Sequence, residues 1–295
     1  MARYPPDLER WRQAARISAE ARELGVSLAI PGAARKEIAD RIEAFIRSKG
    51  AEPAFPANLS RNVEAAHFTP GLEDSEELRA GDLLKVDVGA HIDGAIADTA
   101  TTVEVGGGGR FRHLIQAAHA AVAAGIARVR AGVPVDEVST AIESAIHARG
   151  LKPIRDLTGH SIEPYLLHAG KSIPNISGAS TAVLEEGEVV AIEPFVTNGA
   201  GRIENGEFGN ILRFRGDPTP RAPLLAPMFQ RFRTLPFTLR WVDAPGDRDW
   251  ILKSRRLLQS YPIFLEAGGG HVAQAEHTVL VTERGADVLT AVPAG

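Results

Sequence analysis

The chain has 295 residues and not one cysteine. Disulfides, thiolate nucleophiles, zinc knuckles and iron–sulfur clusters are excluded together by that single absence. No uninterrupted apolar run approaches the roughly 18–20 residues of a membrane span. The opening Met1-Ala2-Arg3-Tyr4-Pro5-Pro6-Asp7 carries no apolar segment behind Arg3, so no secretory signal is expected either. Basic stripes are also missing: 33 Lys and Arg are scattered among 37 Asp and Glu, for a net charge of −4, which disfavours a nucleic-acid surface. His-Glu-x-x-His and Gly-x-Ser-x-Gly do not occur, which sets aside thermolysin-type and serine-hydrolase mechanisms. Gly106–Gly109 lacks a following Gly-Lys-Ser/Thr and reads as a loop, not a phosphate cradle. Methionine (2) is scarce, and so are Asn and Gln, as in a heat-adapted source or under GC-rich coding bias. With 44% apolar residues, the chain reads as a globular protein of the cytoplasm with no membrane or nucleic-acid partner.

Helix and strand signals alternate along the chain. Pro5-Pro6-Asp7 opens a helix with Leu8, Trp11, Ala14, Ala15, Ile17, Ala21 and Leu24 on its apolar positions and Gly25 as its stop. A second helix follows Pro31, with Ile38, Ile42, Phe45 and Ile46 in one stripe and Gly50 as stop. A third runs from Arg110 to Ala131, ended by Gly132 and Pro134; a fourth carries Val135, Val138, Ile142, Ala145 and Ile146 up to Gly150. Leu84, Val86 and Val88 alternate with Lys85, Asp87 and Gly89, and Asp93-Gly94 then separates this strand from Ala95 to Val105: a hairpin. Gly187 to Pro194 reads as a strand, and Val272 to Thr282 with Ala286 to Leu289 as a last hairpin. Residues 215–270 are rich in proline (Pro218, Pro220, Pro223, Pro227, Pro236, Pro245, Pro262), with helix-like runs near 224–233 and 248–259. They read as a helical insertion into one α+β domain spanning 1–295.

If Asp93 and Gly94 form the turn, paired positions sum to 187, so Gly89 lies opposite Asp98 and Asp87 shares the face of Asp98. The two carboxylates become diagonal neighbours, with backbones roughly 7–8 Å apart. Such a pair can flank two cations about 3.5–4 Å apart, and inside apolar strands it is expensive without them. His160 after Gly159, Glu193 before Pro194 and Glu276 before His277 interrupt apolar strands in the same way. Each alone could be solvated or satisfied in the core; in this order together they point to a metal site. His277 falls on the face opposite Glu276 and reads as a structural hydrogen-bonding residue. His91, His113, His119 and His147 lie at turns or on helix faces and read the same way, and Trp241 and Trp250 as packing for the insertion.

At this point the chain resembles the methionine aminopeptidases of the pita-bread fold, and within them the archaeal type 2 branch. The segments that carry the likeness are Ala54-Phe55-Pro56 through Ala65-Ala66-His67-Phe68-Thr69-Pro70, Lys85-Val86-Asp87-Val88-Gly89 with Ile96-Ala97-Asp98, and Gly159-His160-Ser161-Ile162 with Leu167-His168-Ala169-Gly170. Ala191-Ile192-Glu193-Pro194-Phe195, Thr234-Leu235-Pro236-Phe237 with Arg240-Trp241, and Gln274-Ala275-Glu276-His277-Thr278 continue it. Ala275 and Phe68 depart from the family's common Phe and Tyr without removing a ligand; altered packing is expected at Ala275.

The resemblance implies an antiparallel sheet flanked by helices, in two pseudo-symmetric halves, with the insertion typical of type 2. It implies two divalent ions (Co, Mn, Fe or Zn), one held by Asp98, His160, Glu193 and Glu276, the other by Asp87, Asp98 and Glu276. His67 and His168 would contact the substrate around the scissile amide, Glu193 would shuttle the proton, and Phe55, Leu167 and Tyr261 would line the methionine pocket. The implied activity is removal of the initiator methionine from nascent chains with a small second residue, by a hydroxide shared between the ions. The implied setting is a cytoplasmic monomer working near the ribosome. Four carboxylates and one imidazole form a hard donor set that suits Mn, Fe or Co and does not by itself select Zn. Their charge offsets two divalent ions. Two alternatives stand beside this: an X-Pro peptidase like prolidase or aminopeptidase P, and a non-catalytic binding protein of the same fold. The stretch before Asp87 is short for the first, and all five ligand positions are filled against the second.

Overall fold

The computed structural model describes residues 5, 7–219, 222–253 and 255–291; Met1 to Tyr4, Pro6 and Pro220, named above, lie outside them. In chain order the helices and strands begin with α1 (Leu8–Leu28), α2 (Arg35–Ser48), β1 (Glu52–Pro53), β2 (Glu64–Ala66), β3 (Leu83–Ile92) and β4 (Ala95–Glu104). There follow α3 (Arg112–Ile126), α4 (Val135–His147), β5 (Lys152–Pro153), β6 (Thr158–Ile162), β7 (Ser172–Pro174), β8 (Val189–Ile192) and β9 (Phe195–Thr197). The remainder is β10 (Ile203–Phe214), α5 (Ala226–Phe232), α6 (Pro245–Lys253), β11 (Leu258–Glu266), β12 (Val272–Gln274), β13 (Glu276–Val281) and β14 (Ala286–Val288). None of the described helices is long and apolar enough to cross a membrane.

One antiparallel sheet organises the molecule, in the order β1-β3-β4-β13-β8-β6-β7, with β14 on β13. Alternation along β3 decides what faces what. Leu84, Val86, Val88 and Ala90 pack with Ile17, Ala21, Ile38, Ile42 and Ile46 of α1 and α2, while Asp87 shares the other face with Gly89. The second half repeats the plan: Val190 and Ile192 of β8 and Val279 and Val281 of β13 pack with Leu114, Ala118, Val138, Ile142 and Ile146 of α3 and α4. The halves coincide at an offset of 100 residues, which aligns Gly25 with Gly125, Ile42 with Ile142, Ile46 with Ile146 and Pro53 with Pro153.

Gly25 therefore does not end α1, contrary to the expected stop. It lies inside the helix, where an added Cβ would come within 2.6 Å of Val86 and 2.8 Å of Ile42. Gly125 in α3 meets Ile142 at 2.8 Å in the same manner. Both glycines let a helix lie close against sheet and neighbouring helix. α3 is shorter than the expected 110–131, closing at Ile126. The expected 272–282 strand breaks at Ala275: Val272–Gln274 pairs with β9, whereas Glu276 onward joins the main sheet.

The 215–270 stretch contains α5, α6 and three short 3-10 turns, packed on their own core of Phe214, Phe232, Phe237, Trp241 and Ile251. Helix stops at Lys253, however, and Leu258–Glu266 is strand, paired antiparallel with β10. β10 itself was not anticipated. Its Gly206, Gly209 and polar residues hide the alternation, and Pro262 disguises β11 as loop. Gly209 has a reason to be there, since a Cβ would lie 3.2 Å from the carbonyl oxygens of both His67 and Tyr261.

Candidate metal centre

The five candidate ligands come from adjacent elements of the main sheet. Asp93 (φ 49°) and Gly94 (φ 88°) form the tight turn, and the β3–β4 register then pairs Gly89 with Asp98, as counted. On the other side of β4, Ala100 pairs with Glu276 of β13. The Asp98 N–H donates to Thr278 Oγ1 (2.8 Å), whose hydroxyl donates back to the Asp98 carbonyl (2.7 Å), so the two acidic strands are stitched beside their carboxylates. Farther along, His277 pairs with Ile192 of β8, immediately before Glu193, and Ala191 pairs with His160 of β6. Gly159 is obligatory at this approach, because a Cβ would sit 2.3 Å from the Ala191 carbonyl oxygen. Sheet order alone thus lays out Asp87, Asp98, Glu276, Glu193 and His160 in a row.

Their side chains converge. His160 Nε2 is 3.7 Å from Asp98 Oδ2 and 3.5 Å from Glu193 Oε1. One ligand atom each from Asp98, His160 and Glu276 lie within 4.8 Å of one another, a spacing that a single ion can span. Gln274 donates from Nε2 to Asp87 Oδ2 (3.4 Å) and Glu276 Oε2 (3.3 Å), leaving Asp87 Oδ1, Asp98 Oδ1 and Glu276 Oε1 buried without any hydrogen-bond partner. Burial pushes Asp87 up to about 7, and burial together with repulsion from the neighbouring carboxylates pushes Asp98, Glu193 and Glu276 well above the ordinary carboxylate range. Burial holds His160 well below its usual value, hence neutral and ready to ligate. Buried carboxylates with orphaned oxygens are unfavourable in an apolar sheet unless cations compensate them. The donor set therefore fits divalent metal.

A cavity of about 210 Å³ opens over this cluster. It is small beside the roughly 300–1,000 Å³ of drug-sized pockets, the room of one side chain and a chain end. All five candidate ligands line it, and so do His67, His168, Phe55, Leu167 and Tyr261. The Phe55 ring crosses the sheet at Gly89, where a Cβ would be 2.4 Å from Cε1. His67 sits in the left-handed region (φ 67°), a strained conformation for a non-glycine. Its ring packs edge-on to Tyr261 (5.3 Å) and tilted on Phe264 (4.5 Å), and its Nδ1 has no partner. His168 lies edge-on to His160 at 4.3 Å. Burial lowers both His67 and His168 to about 4, so each is neutral near pH 7. His277 faces away and pairs through Nδ1 with Thr290 Oγ1 at 2.9 Å.

Sequence reasoning passed over Gln274, Asn58, Ile211 and Phe264. Gln274 had a signal, as an amide side chain in an apolar run two residues before Glu276. Ile211 and Phe264 could not be found without β10 and β11.

Sheet, site and sequence together define a metallopeptidase of the pita-bread type. The chain belongs to metallopeptidase family M24, whose pattern it matches over residues 9–283. Archaeal methionine aminopeptidases are 37–45% identical to it over most of its length. The one from Pyrococcus horikoshii is 43% identical over 295 residues, covering 96% of this chain and 99% of that protein. The one from Archaeoglobus fulgidus is 45% identical over 265 residues, with 88% and 90% covered. In three dimensions the methionine aminopeptidase of Thermotoga maritima superposes with a TM-score of 0.73 over 98% of both chains, at 23% identity, a likeness of fold.

Proposed function

We propose that this protein is a type 2 methionine aminopeptidase, which hydrolyses the initiator methionine from nascent chains and favours a small second residue. One observation carries the reading: a cavity sized for one side chain lies over four buried or partly buried carboxyls and a neutral imidazole, in a chain 43% identical to a methionine aminopeptidase. The helical segments between β10 and β11, in one catalytic domain spanning the chain, support the type 2 assignment. Asp98, Glu276, His160 and Glu193 would hold one divalent ion; Asp87, Asp98 and Glu276 would hold the other. Mn, Fe and Co suit so oxygen-rich a site, and Zn is not disqualified.

When bound, the ions supply Lewis-acid polarisation of the scissile carbonyl and of the attacking water. The remaining steps belong to the chain. Phe55, Leu167 and Tyr261 enclose the methionine side chain and exclude water from it. Glu193 takes the proton from the nucleophile and delivers it to the leaving nitrogen. His168 and His67, neutral near pH 7, donate to the developing oxyanion and orient the leaving amide. The enzyme acts as a cytoplasmic monomer, meeting nascent chains near the ribosome.

The test is release of free methionine from Met-Ala-Ser against hydrolysis of an X-Pro peptide, with metal content measured on the same sample. Methionine release with two divalent ions per chain is expected, and Asp98→Ala and Glu276→Ala should lose both metal and activity. Preferential X-Pro cleavage, or full activity in either variant, would overturn the reading.

A further inference from the structure

Asn58 lines the cavity from the segment that follows Phe55. Its backbone is clamped to β3: the Asn58 N–H donates to the Asp87 carbonyl (2.9 Å), and the Asp87 N–H donates to the Asn58 carbonyl (3.1 Å). Asn58 is only 5% exposed, so its side chain is held beside Asp87 and away from solvent. Even so, Oδ1 is buried with no hydrogen-bond partner. Leaving an amide acceptor unmet costs about 1–3 kcal/mol, and buried acceptors of this kind are few in native proteins. The orphaned oxygens of Asp87, Asp98 and Glu276 belong to carboxyl groups, which answer to cations. The Asn58 oxygen is neutral and competes poorly with carboxylates for a divalent ion, so its natural complement is an N–H donor.

A peptide end entering this cavity brings few donors. A methionine side chain has none, and the walls around it are apolar. The free α-amine has at least two N–H groups, even when its lone pair is committed elsewhere. We infer that Asn58 Oδ1 accepts a hydrogen bond from the substrate's free α-amine and so helps select unblocked chain ends. An N-acylated end would replace that donor-rich, tetrahedral nitrogen with a planar amide and set a carbonyl oxygen among acceptors. The inference rests on the aminopeptidase reading and adds to it a residue that makes the site specific for a chain terminus.

A ligand pair isolates the amine. Manganese-loaded wild type and Asn58→Ala are titrated calorimetrically with methioninamide and with its desamino analogue, which keeps the side chain and amide but has no amine. Asn58→Ala should weaken methioninamide about five- to tenfold and leave the desamino analogue within about twofold, the loss of one hydrogen bond. KM for Met-Ala-Ser should rise by a similar factor. Asn58→Ser keeps a hydroxyl acceptor and should fall between the two, which also serves if the alanine variant folds poorly. Equal weakening of both ligands would show a packing role, and unchanged methioninamide binding would show no role; either overturns the inference alone. A wild type that neither prefers the amine-bearing ligand nor releases methionine overturns the aminopeptidase reading as well.

Discussion

Individual side chains at this site are set by environment more than by residue type. His168 and His67 share a depressed pKa of about 4, caused first by burial, so both are neutral near pH 7 and able to donate in the proposed reaction. Removing one preorganised donor from an oxyanion typically lowers kcat by about 10²–10³. His168→Ala should show that loss with metal content unchanged, checked by steady-state kinetics and elemental analysis; a loss of metal would place His168 among the ligands instead. Gln274 acts differently, since its amide holds Asp87 and Glu276 in position. Gln274→Ala should weaken divalent-ion affinity by about 10–100-fold, measured by metal titration. The raised carboxyls also set a pH dependence. Asp87 holds its proton to about pH 7 in the fold, against an ordinary value of 3.8, and Asp98, Glu193 and Glu276 are likewise held well above the ordinary carboxylate range. The unfolded chain has released these protons above about pH 4, so their contribution to the metal-free fold is full below that and is lost as pH rises through 7. Divalent ions must displace the same protons. The gain in Tm on adding manganese should therefore be larger at about pH 8 than at about pH 6, and a gain independent of pH would contradict protonated carboxyls in the metal-free site.

Elements show what could and could not be read in advance. The β3–β4 hairpin was legible because Asp93-Gly94 fixes its register and alternation then gives the faces; Asp87 and Asp98 followed by counting. β10 was not, because Gly206 and Gly209 are there for close backbone approach, not for strand propensity, and that approach involves residues distant in sequence. Gly25 misled for a related reason. A glycine near a helix's end is commonly a stop, and only the aligned Gly125 reveals that both serve packing. The 100-residue offset was present in the sequence but is far longer than the periods of stacked repeats. Gly25→Ala should overpack the contact with Val86 and Ile42 and destabilise the fold by about 1–3 kcal/mol, read as a lower denaturant midpoint with unchanged slope. Gly125→Ala should do the same in the second half, and the two should add, the sites lying in separate cores.

Across the molecule, one buried ion pair ties the 215–270 stretch to the site. Arg240 donates to Glu43 of α2 through both Nη1 (2.9 Å) and Nη2 (2.7 Å), with side chains only 3% and 2% exposed. Glu43 also accepts from Trp241 Nε1 (2.7 Å) and from the N–H of Ala57 (3.1 Å), in the segment between Phe55 and Asn58. Arg240 reaches back to the Pro70 carbonyl (2.9 Å), just past His67. The Glu43 carboxylate and the Arg240 guanidinium thus join α2, the helical segment and both cavity-lining loops. Removing one partner of a buried pair costs about 3–5 kcal/mol, whereas replacing both with apolar residues of similar volume is often tolerated. Here the low end applies, because Arg240 keeps a second, half-exposed carboxylate partner in Asp40 at 2.6 Å. Glu43→Ala should accordingly lower stability by about that amount and raise KM more than it lowers kcat, because the Phe55–Asn58 wall loosens while the proposed metal ligands stay on the sheet. The double variant Glu43→Leu/Arg240→Met should recover much of the stability without recovering KM, since nothing then holds the Ala57 N–H. Chemical denaturation and kinetics on the three proteins separate the two effects. If KM recovered together with stability, the pair would be a fold-stabilising contact with no part in shaping the cavity.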